Sequence, residues 1–429
     1  MKKLFLIALV FISRIVVAQE NNGIKFQHNL TWTQIKQKAK NENKYIFMDA
    51  FTTWCLPCKI MSNEIFPQPN VANFFNTNFI NVAVQFDVTK KDDDHVKSWY
   101  NDVDELRKSY KVDSYPTYLF FNPQGELVHS VYGASKTSEE FITKSKDALD
   151  PQKQYLSLKQ QYSLGNKQPN FLLILLKSAI QNRDKDLIPK LSSEYFATQK
   201  DLLIEDNLKI LATTTLKSSD IGFPVFRNNA MKADLILGIG KSAGIIRTIL
   251  FDEIALKYLR SSSIKTNYGG GMFGYSGTLN QKVEWDLLKA ELDSQYPELS
   301  EEIFLYAKVF YFEMAESWPE YSLAVSEFRS KHKDRISIDD LNHYAGMILR
   351  NTDDEQSIKA AINWAKENME NSVVDKKLMC LYTYSNLLYK SGDKNEAIKL
   401  VGEAIELTSG KDIYFVKLLD KMKKGEKTW

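Results

Sequence analysis

The residues in this sequence best suited to chemistry are Cys55 and Cys58, two of its three cysteines, in the stretch "TTWCLPCKIM". A CxxC pair can exchange electrons as dithiol and disulfide, supply half of a zinc site, or pack without a function. A structural zinc site wants four ligands, usually two such pairs, and here there is one. The five histidines (His28, His95, His129, His332 and His343) show no ligand-like spacing near it. No metal is therefore expected. Three cysteines in 429 residues also do not make a disulfide-stapled scaffold.

Redox chemistry requires a particular setting for the pair. Upstream, "TWTQIKQKAKNEN" places Trp32, Ile35 and Ala39 at helical spacing, and "NKYIFMDAF" (Asn43 to Phe51) reads as a short buried strand. Downstream, "KIMSNEIF" has helical offsets until Pro67 and Pro69 break it. Cys55 thus falls where a helix begins. Unpaired amides and the partial positive charge at a helix N-terminus favour thiolate over thiol. An exposed Cys55 thiolate would attack, and Cys58, shielded one turn later, would resolve the mixed disulfide. Pro57 fits the first turn. Asp49 lies in the preceding strand. Pointing inward, it would have a raised pKa and could exchange protons with Cys58; on an edge strand it would simply face solvent.

Further elements come in order along the chain. "NFINVAVQFDV" (Asn78 to Val88) reads as a second buried strand, and "TKKDDDHVKSWYND" as an exposed polar insertion. "ELRKSYKV" makes a short helix, and "YPTYLFF" (Tyr115 to Phe121) a third strand opened by Pro116, which by itself only marks a strand edge. "NPQG" suits a type I turn into a return strand, "ELVHSVYG". "TSEEFITKSKDAL" closes the region as a helix, with Thr137 and Glu140 at capping-box spacing.

Together, the strand with Asp49, "WCLPCK" heading a helix, "YPT" and the "NPQG" hairpin resemble the thioredoxin superfamily over about residues 28 to 149. The stretch after the cysteines is similar to exported thioredoxin-like domains, including the C-terminal domain of the bacterial disulfide-reducing membrane protein family. The resemblance implies an α/β thioredoxin fold, a central mixed sheet flanked by helices. It implies Cys55 as nucleophile, Cys58 as resolving thiol, Asp49 as buried proton acceptor and Pro116 as a cis-proline beside the site. Trp54 would shield the pair, and Trp54, Tyr115 and Leu56 would meet substrate. No cofactor is implied beyond the Cys55–Cys58 disulfide. Leu56 departs from the thioredoxin motif, which has glycine there; "NVAVQFDV" lacks that family's lysine, and the insertion after it lengthens the domain.

From Asp150 a helical period takes over, as in "NFLLILLKSAI", "KDLLIEDNLKILATTTL" and "EEIFLYAKVFYFEMAESW". The glycine-rich "NYGGGMFGYSG" (Asn267 to Gly277) and "LGIGKSAG" (Leu237 to Gly244) lack phosphate-loop spacing and read as turns. "YSNLLYKSGDKNEAIKLVGEAIEL" resembles a tetratricopeptide repeat. A degenerate copy lies forty residues earlier, aligning Tyr344 with Tyr384 and Ile358 with Ile398. Cys380, among Leu378, Met379 and Leu381, reads as a buried structural thiol. The expected organisation is a signal peptide (1–18), a thioredoxin-like domain (19–149), an α-helical domain (150–330) and tetratricopeptide-like helical repeats (331–429).

The leader expectation rests on Lys2 and Lys3, the apolar run Leu4 to Ile12 and "VVA" before Gln19. It implies export, in a bacterium to the periplasm. Basic and acidic residues number 56 and 54, so nothing in the charge points to nucleic acid or an anionic membrane as partner. The leading expectation is an exported thiol–disulfide oxidoreductase, a reductase or isomerase. It would act on protein thiols and disulfides, take electrons from a membrane-bound donor, and bind a protein partner on its helical repeats. The alternative is a helical-repeat adaptor whose thioredoxin-like domain mainly binds partners.

Overall fold

The computed structural model describes residues 23–269, 272–372, 374–410 and 412–429. The expected leader, residues 1–18, lies outside the described residues, as do Gly270 and Gly271 of the glycine-rich stretch. The chain divides into two compact units between Ile188 and Pro189.

In the first unit the elements run α1 (Trp32–Glu42), β1 (Tyr45–Phe51), α2 (Leu56–Ile60), α3 (Pro69–Asn78), β2 (Phe79–Gln85), α4 (Asp94–Ser98), α5 (Tyr100–Tyr110), β3 (Thr117–Phe121), β4 (Leu127–Tyr132), α6 (Ser138–Lys146), α7 (Tyr155–Ser163) and α8 (Pro169–Gln181). The strands form one sheet in the order β2-β1-β3-β4. β1 and β2 are parallel, and the other pairs are antiparallel. The mixed sheet flanked by helices is that of the expected fold.

Alternation along the strands divides the core between two faces. Ile46, Met48, Ala50, Leu119 and Phe121 face one way, against Trp32, Ile35 and Ala39 of α1 and Val103 and Leu106 of α5. Phe47, Tyr118 and Phe120 face the other, against Met61, Ile65, Phe66, Val71, Phe75 and Phe141. That second face is largely aromatic; Phe75 and Phe141 stack at 4.9 Å and Phe47 meets Phe75 at 4.5 Å. α2 continues without a break into a π-helical turn, Met61–Ile65. Met61, Ile65 and Phe66 thereby tie the helix that bears the cysteines to the sheet.

The charged stretch after β2 is not merely an exposed insertion. Trp99 is buried against Trp32, and Asp92 accepts hydrogen bonds from Thr89, Gln85 and Tyr100. Its charges conceal an aromatic anchor and one carboxylate whose acceptors are filled locally. At the last helix Thr137 caps as expected, with its side chain accepting from the Glu140 N–H, but the Glu140 carboxylate takes the Lys136 N–H instead of closing the box.

Helical period begins at Asp150, yet the first unit extends further, because α7 packs on β4 and α8 on α7. Gln154 fastens this extension, donating to the Ala148 carbonyl at 2.9 Å and to the Tyr45 hydroxyl at 3.3 Å.

α9 (Leu187–Phe196) spans the division. Beyond it come α10 (Glu205–Thr214), α11 (Gly222–Leu237), α12 (Lys241–Leu250) and α13 (Leu256–Leu259), then β5 (Arg260–Ser261), β6 (Lys265–Gly269), β7 (Met272–Tyr275) and β8 (Thr278–Leu279). The glycine-rich stretch is thus the middle of two small antiparallel ladders, β5–β8 and β6–β7, and not a plain turn. Lys265 and Tyr275, paired across the inner ladder, both bond Asp252 and hold the hairpin to the helices. The helix expected from Lys200 begins only at Glu205, after Asp201 has capped a turn by accepting from the Leu203 N–H. Next come α14 (Trp285–Gln295), α15 (Ser300–Met314), α16 (Trp318–His332), α17 (Ile338–Asn351), α18 (Glu355–Glu370), α19 (Val374–Ser391), α20 (Lys394–Leu407) and α21 (Ile413–Lys424). From α17 to α21 each helix packs on the next, and α17 also packs on α19. Tyr344 and Tyr384 are buried in α17 and α19, in one continuous core with Ile358, Trp364, Leu387 and Leu400.

Candidate functional site

Cys55 and Cys58 form a disulfide. Cys55 is the N-cap of α2, in extended backbone, and its Sγ accepts the Cys58 N–H at 3.1 Å. Pro57 lies in the first turn, where the helix has no use for an N–H. The Cys55 N–H in turn bonds the Thr52 carbonyl at 3.2 Å. The first turn is therefore closed onto the sulfur of its own cap. In the reduced state the same amide, together with the N-terminal end of the helix, would stabilise a Cys55 thiolate.

An exposed Cys55 beside a shielded Cys58 is not what the disulfide form has. Cys55 is 2 % exposed and Cys58 is 7 %. As the cap, the Cys55 sulfur folds back over the first turn instead of projecting outward. Exposure belongs to the flanking residues instead: Trp54 is 68 % and Leu56 67 % exposed. They form an apolar rim on either side of the buried sulfur.

Asp49 lies inside the sheet, not on an edge, since β1 has β2 on one side and β3 on the other. It pairs with Ala83 and Tyr118 and shares the face of Phe47, the one on which the cysteine-bearing helix packs. The carboxyl is buried, its Oδ1 has no hydrogen-bond partner, and burial pushes its pKa up to about 7.

The Tyr115–Pro116 bond is cis and opens β3. Pro116 is buried, and its carbonyl accepts the Gly133 N–H at 2.9 Å. The Tyr115 ring meets Trp54 edge-on at 6.0 Å. This contact brings the segment before β3 beside the disulfide, although sixty residues separate the two in sequence. All seven residues singled out from the sequence (Asp49, Trp54, Cys55, Leu56, Cys58, Tyr115 and Pro116) thus lie on β1, at the head of α2 or at the start of β3.

Asp87, to which no sequence motif points, also serves this site. It comes just after β2 and accepts both the Thr53 N–H, at 2.9 Å, and the Thr53 hydroxyl. The loop before Cys55 is thereby fixed from the neighbouring strand. The parallel pairing of Phe51 with Gln85 is the signal that could have found it, because it carries residues 53 and 87 off the same end of the sheet. Among the described residues no group of three or more His, Cys, Asp or Glu could hold a metal ion.

The thioredoxin-like domain family matches residues 33–149. Thioredoxin H4 of Arabidopsis thaliana is 31 % identical over 124 residues, covering 28 % of this chain and 87 % of that protein. The chain belongs to the thioredoxin family. Thioredoxin H3 of the same plant is 35 % identical over 115 residues, 26 % of this chain and 76 % of its own. Thioredoxin-2 of Pyricularia oryzae is 30 % identical over 108 residues, covering 25 % of this chain and 52 % of its own. A solution structure described as a disulphide-isomerase of Bacteroides thetaiotaomicron is 34 % identical, covering 30 % of this chain and 97 % of its own, with a TM-score of 0.26. DsbH oxidoreductase, 19 % identical, covers 30 % of this chain and 85 % of its own, with a TM-score of 0.25. As a thioredoxin-family chain with a CxxC disulfide, the protein is a thiol–disulfide oxidoreductase.

Proposed function

We propose that the protein reduces or isomerises disulfides of exported proteins, with Cys55 as nucleophile, Cys58 as resolving thiol and Asp49 as proton acceptor. The observation that carries this reading is the Cys58 N–H directed at Cys55 Sγ at the head of α2, over a sheet face holding a carboxyl with a pKa of about 7. In the dithiol state the Cys55 thiolate attacks one sulfur of a substrate disulfide. A mixed disulfide forms and the first substrate thiolate leaves, taking a proton from water. Asp49 accepts the Cys58 proton, and the Cys58 thiolate attacks Cys55 Sγ. The second substrate thiolate then leaves, and the Cys55–Cys58 disulfide remains. Two electrons have passed to the substrate.

Return to the dithiol takes two electrons and two protons from a dithiol donor. For an exported chain that donor would be membrane-bound, because the surroundings are oxidising. Trp54, Leu56 and Tyr115 make the apolar surface a substrate polypeptide would meet. Residues 1–18 would be the export signal to the periplasm. The helical remainder, including tetratricopeptide-like repeats over 331–429, would recognise a partner, and the packing of α17 on α19 supports that reading.

The test is reduction of a disulfide-bonded protein such as insulin by the full chain and by Cys55→Ser. Loss of activity in the variant is expected; equal activity overturns the reading. Cys58→Ser in cells should accumulate mixed disulfides with its substrates.

A further inference from the structure

The turn that ends α8, far outside the family's matched residues, reaches back to the segment that opens β3. Arg183 Nη1 donates to Ser114 Oγ at 2.7 Å, and the guanidinium lies 5.4 Å from the centre of the Tyr132 ring. Ser114 directly precedes Tyr115, and Tyr132 pairs with Thr117 across β3 and β4. One side chain therefore touches both β4 and the segment that leads into β3, next to Tyr115, whose ring meets Trp54 beside the disulfide.

Arg183 is itself held from both sides. Asn182 is buried, donates to the Ser178 carbonyl at 2.8 Å and accepts from Ser130 Oγ on β4. Asp184 accepts from the Tyr155 hydroxyl at 2.6 Å and from Lys159 Nζ at 2.9 Å, both on α7. The Asn182–Asp184 turn is thus fixed to the sheet on one side and to α7 on the other. A planar guanidinium suits the remaining task, since it can bond Ser114 and lie against an aromatic ring with one rigid group.

We propose that Arg183 is a positioning residue for the Tyr115–Pro116 segment, through which the helical extension α7–α8 sets the affinity for a polypeptide substrate. The proposal rests on the oxidoreductase reading. Arg183 touches neither sulfur, so its loss should move substrate binding and leave the exchange chemistry as it is.

The experiment uses the full chain with two readouts. In hydrogen exchange, Arg183→Ala and Ser114→Ala should both speed exchange in the peptide spanning residues 113–118. In steady-state reduction of a disulfide-bonded protein, each should raise KM roughly five- to tenfold at unchanged kcat, as expected when part of the strength of one charge-assisted hydrogen bond is felt at the substrate surface. The double variant should do no worse than either single one. Ser114→Ala, a small change in a half-buried loop, covers the case in which Arg183→Ala fails to fold. Unchanged exchange, or faster exchange with unchanged KM, overturns the proposal. An unsubstituted chain without reductase activity overturns the oxidoreductase reading, and this inference with it; normal activity with an unmoved KM overturns this inference alone.

Discussion

Asp49 and Tyr118 stand opposite one another in the β1–β3 ladder, both buried, and neither Asp49 Oδ1 nor the Tyr118 hydroxyl has a hydrogen-bond partner among the described residues. Burial raises both pKa values, and for Tyr118 the Asp49 charge adds to it. A carboxyl kept so dry holds its proton to near neutrality, which suits it to accepting and returning one. Asp49→Asn is expected to slow protein-disulfide reduction by about ten- to a hundredfold at pH 7 with the fold intact. Turnover measured beside circular dichroism checks this, and an unimpaired variant removes Asp49 from the mechanism.

A pH signature arises from Asp49 together with His129. The Asp49 pKa is raised from 3.8 to about 7, so its contribution to stability is full below about pH 4 and lost as pH rises toward 7. The buried His129 goes the other way. Its pKa is lowered from 6.5 to about 4, so its contribution is full above pH 6.5 and lost as pH falls toward 4. The two slopes oppose each other between about pH 4 and 6.5. Urea denaturation of the oxidised chain should show stability falling with acid in Asp49→Asn and rising with acid in His129→Leu. Parallel profiles for both variants would refute this.

Asp87 holds Thr53, two residues before Cys55, through both carboxylate oxygens. Asp87→Ala should cost about 1–3 kcal/mol and speed hydrogen exchange at residues 53–55, while Asp87→Asn should recover part of the loss. Equal exchange in all three proteins would mean the loop is fixed by other contacts.

In the second unit Arg247 is buried between Glu302, at 3.2 Å, and Asp340, at 2.9 Å, with Glu302 also bonded by Arg335. Glu302→Ala strips a buried guanidinium of its equally buried partner and should cost about 3–5 kcal/mol in urea unfolding. The double change Arg247→Met with Glu302→Leu should cost less, since the two deeply buried charges leave together and the partners left behind, Asp340 and Arg335, reach solvent.

Gly240 has φ +75°, and a Cβ there would lie 2.8 Å from the backbone of Ile336 and Ser337. Gly240→Ala is expected to destabilise the chain by about 1–3 kcal/mol, read as a lowered Tm. A variant as stable as the parent would show that the α11–α12 turn can yield.

Much of the site is legible in the sequence because its parts are local. The apolar run of "YIFMDAF" marks a buried strand, and Cys55 and Cys58 one turn apart mark a helix start; neither depends on distant partners. The face of Asp49 is settled only by the pairing of β3 beside β1. An interior position turns a solvent carboxylate into a buried one, and no pattern within seven residues states whether a strand is central. The insertion after β2 reads as exposed because charge dominates its composition, while Trp99 finds its place only against Trp32 of α1.

By itself, then, the sequence determined the dithiol, the order of strands and helices around it, and the helical character of the chain beyond Asp150, all consequences of spacing within one element. The tertiary structure alone decided the pKa environment of Asp49, the meeting of Trp54 with Tyr115, and the reach of Arg183 to Ser114. Each of these depends on which elements become neighbours. Desolvation and hydrogen bonding act between residues close in space, and chain separation does not encode that closeness.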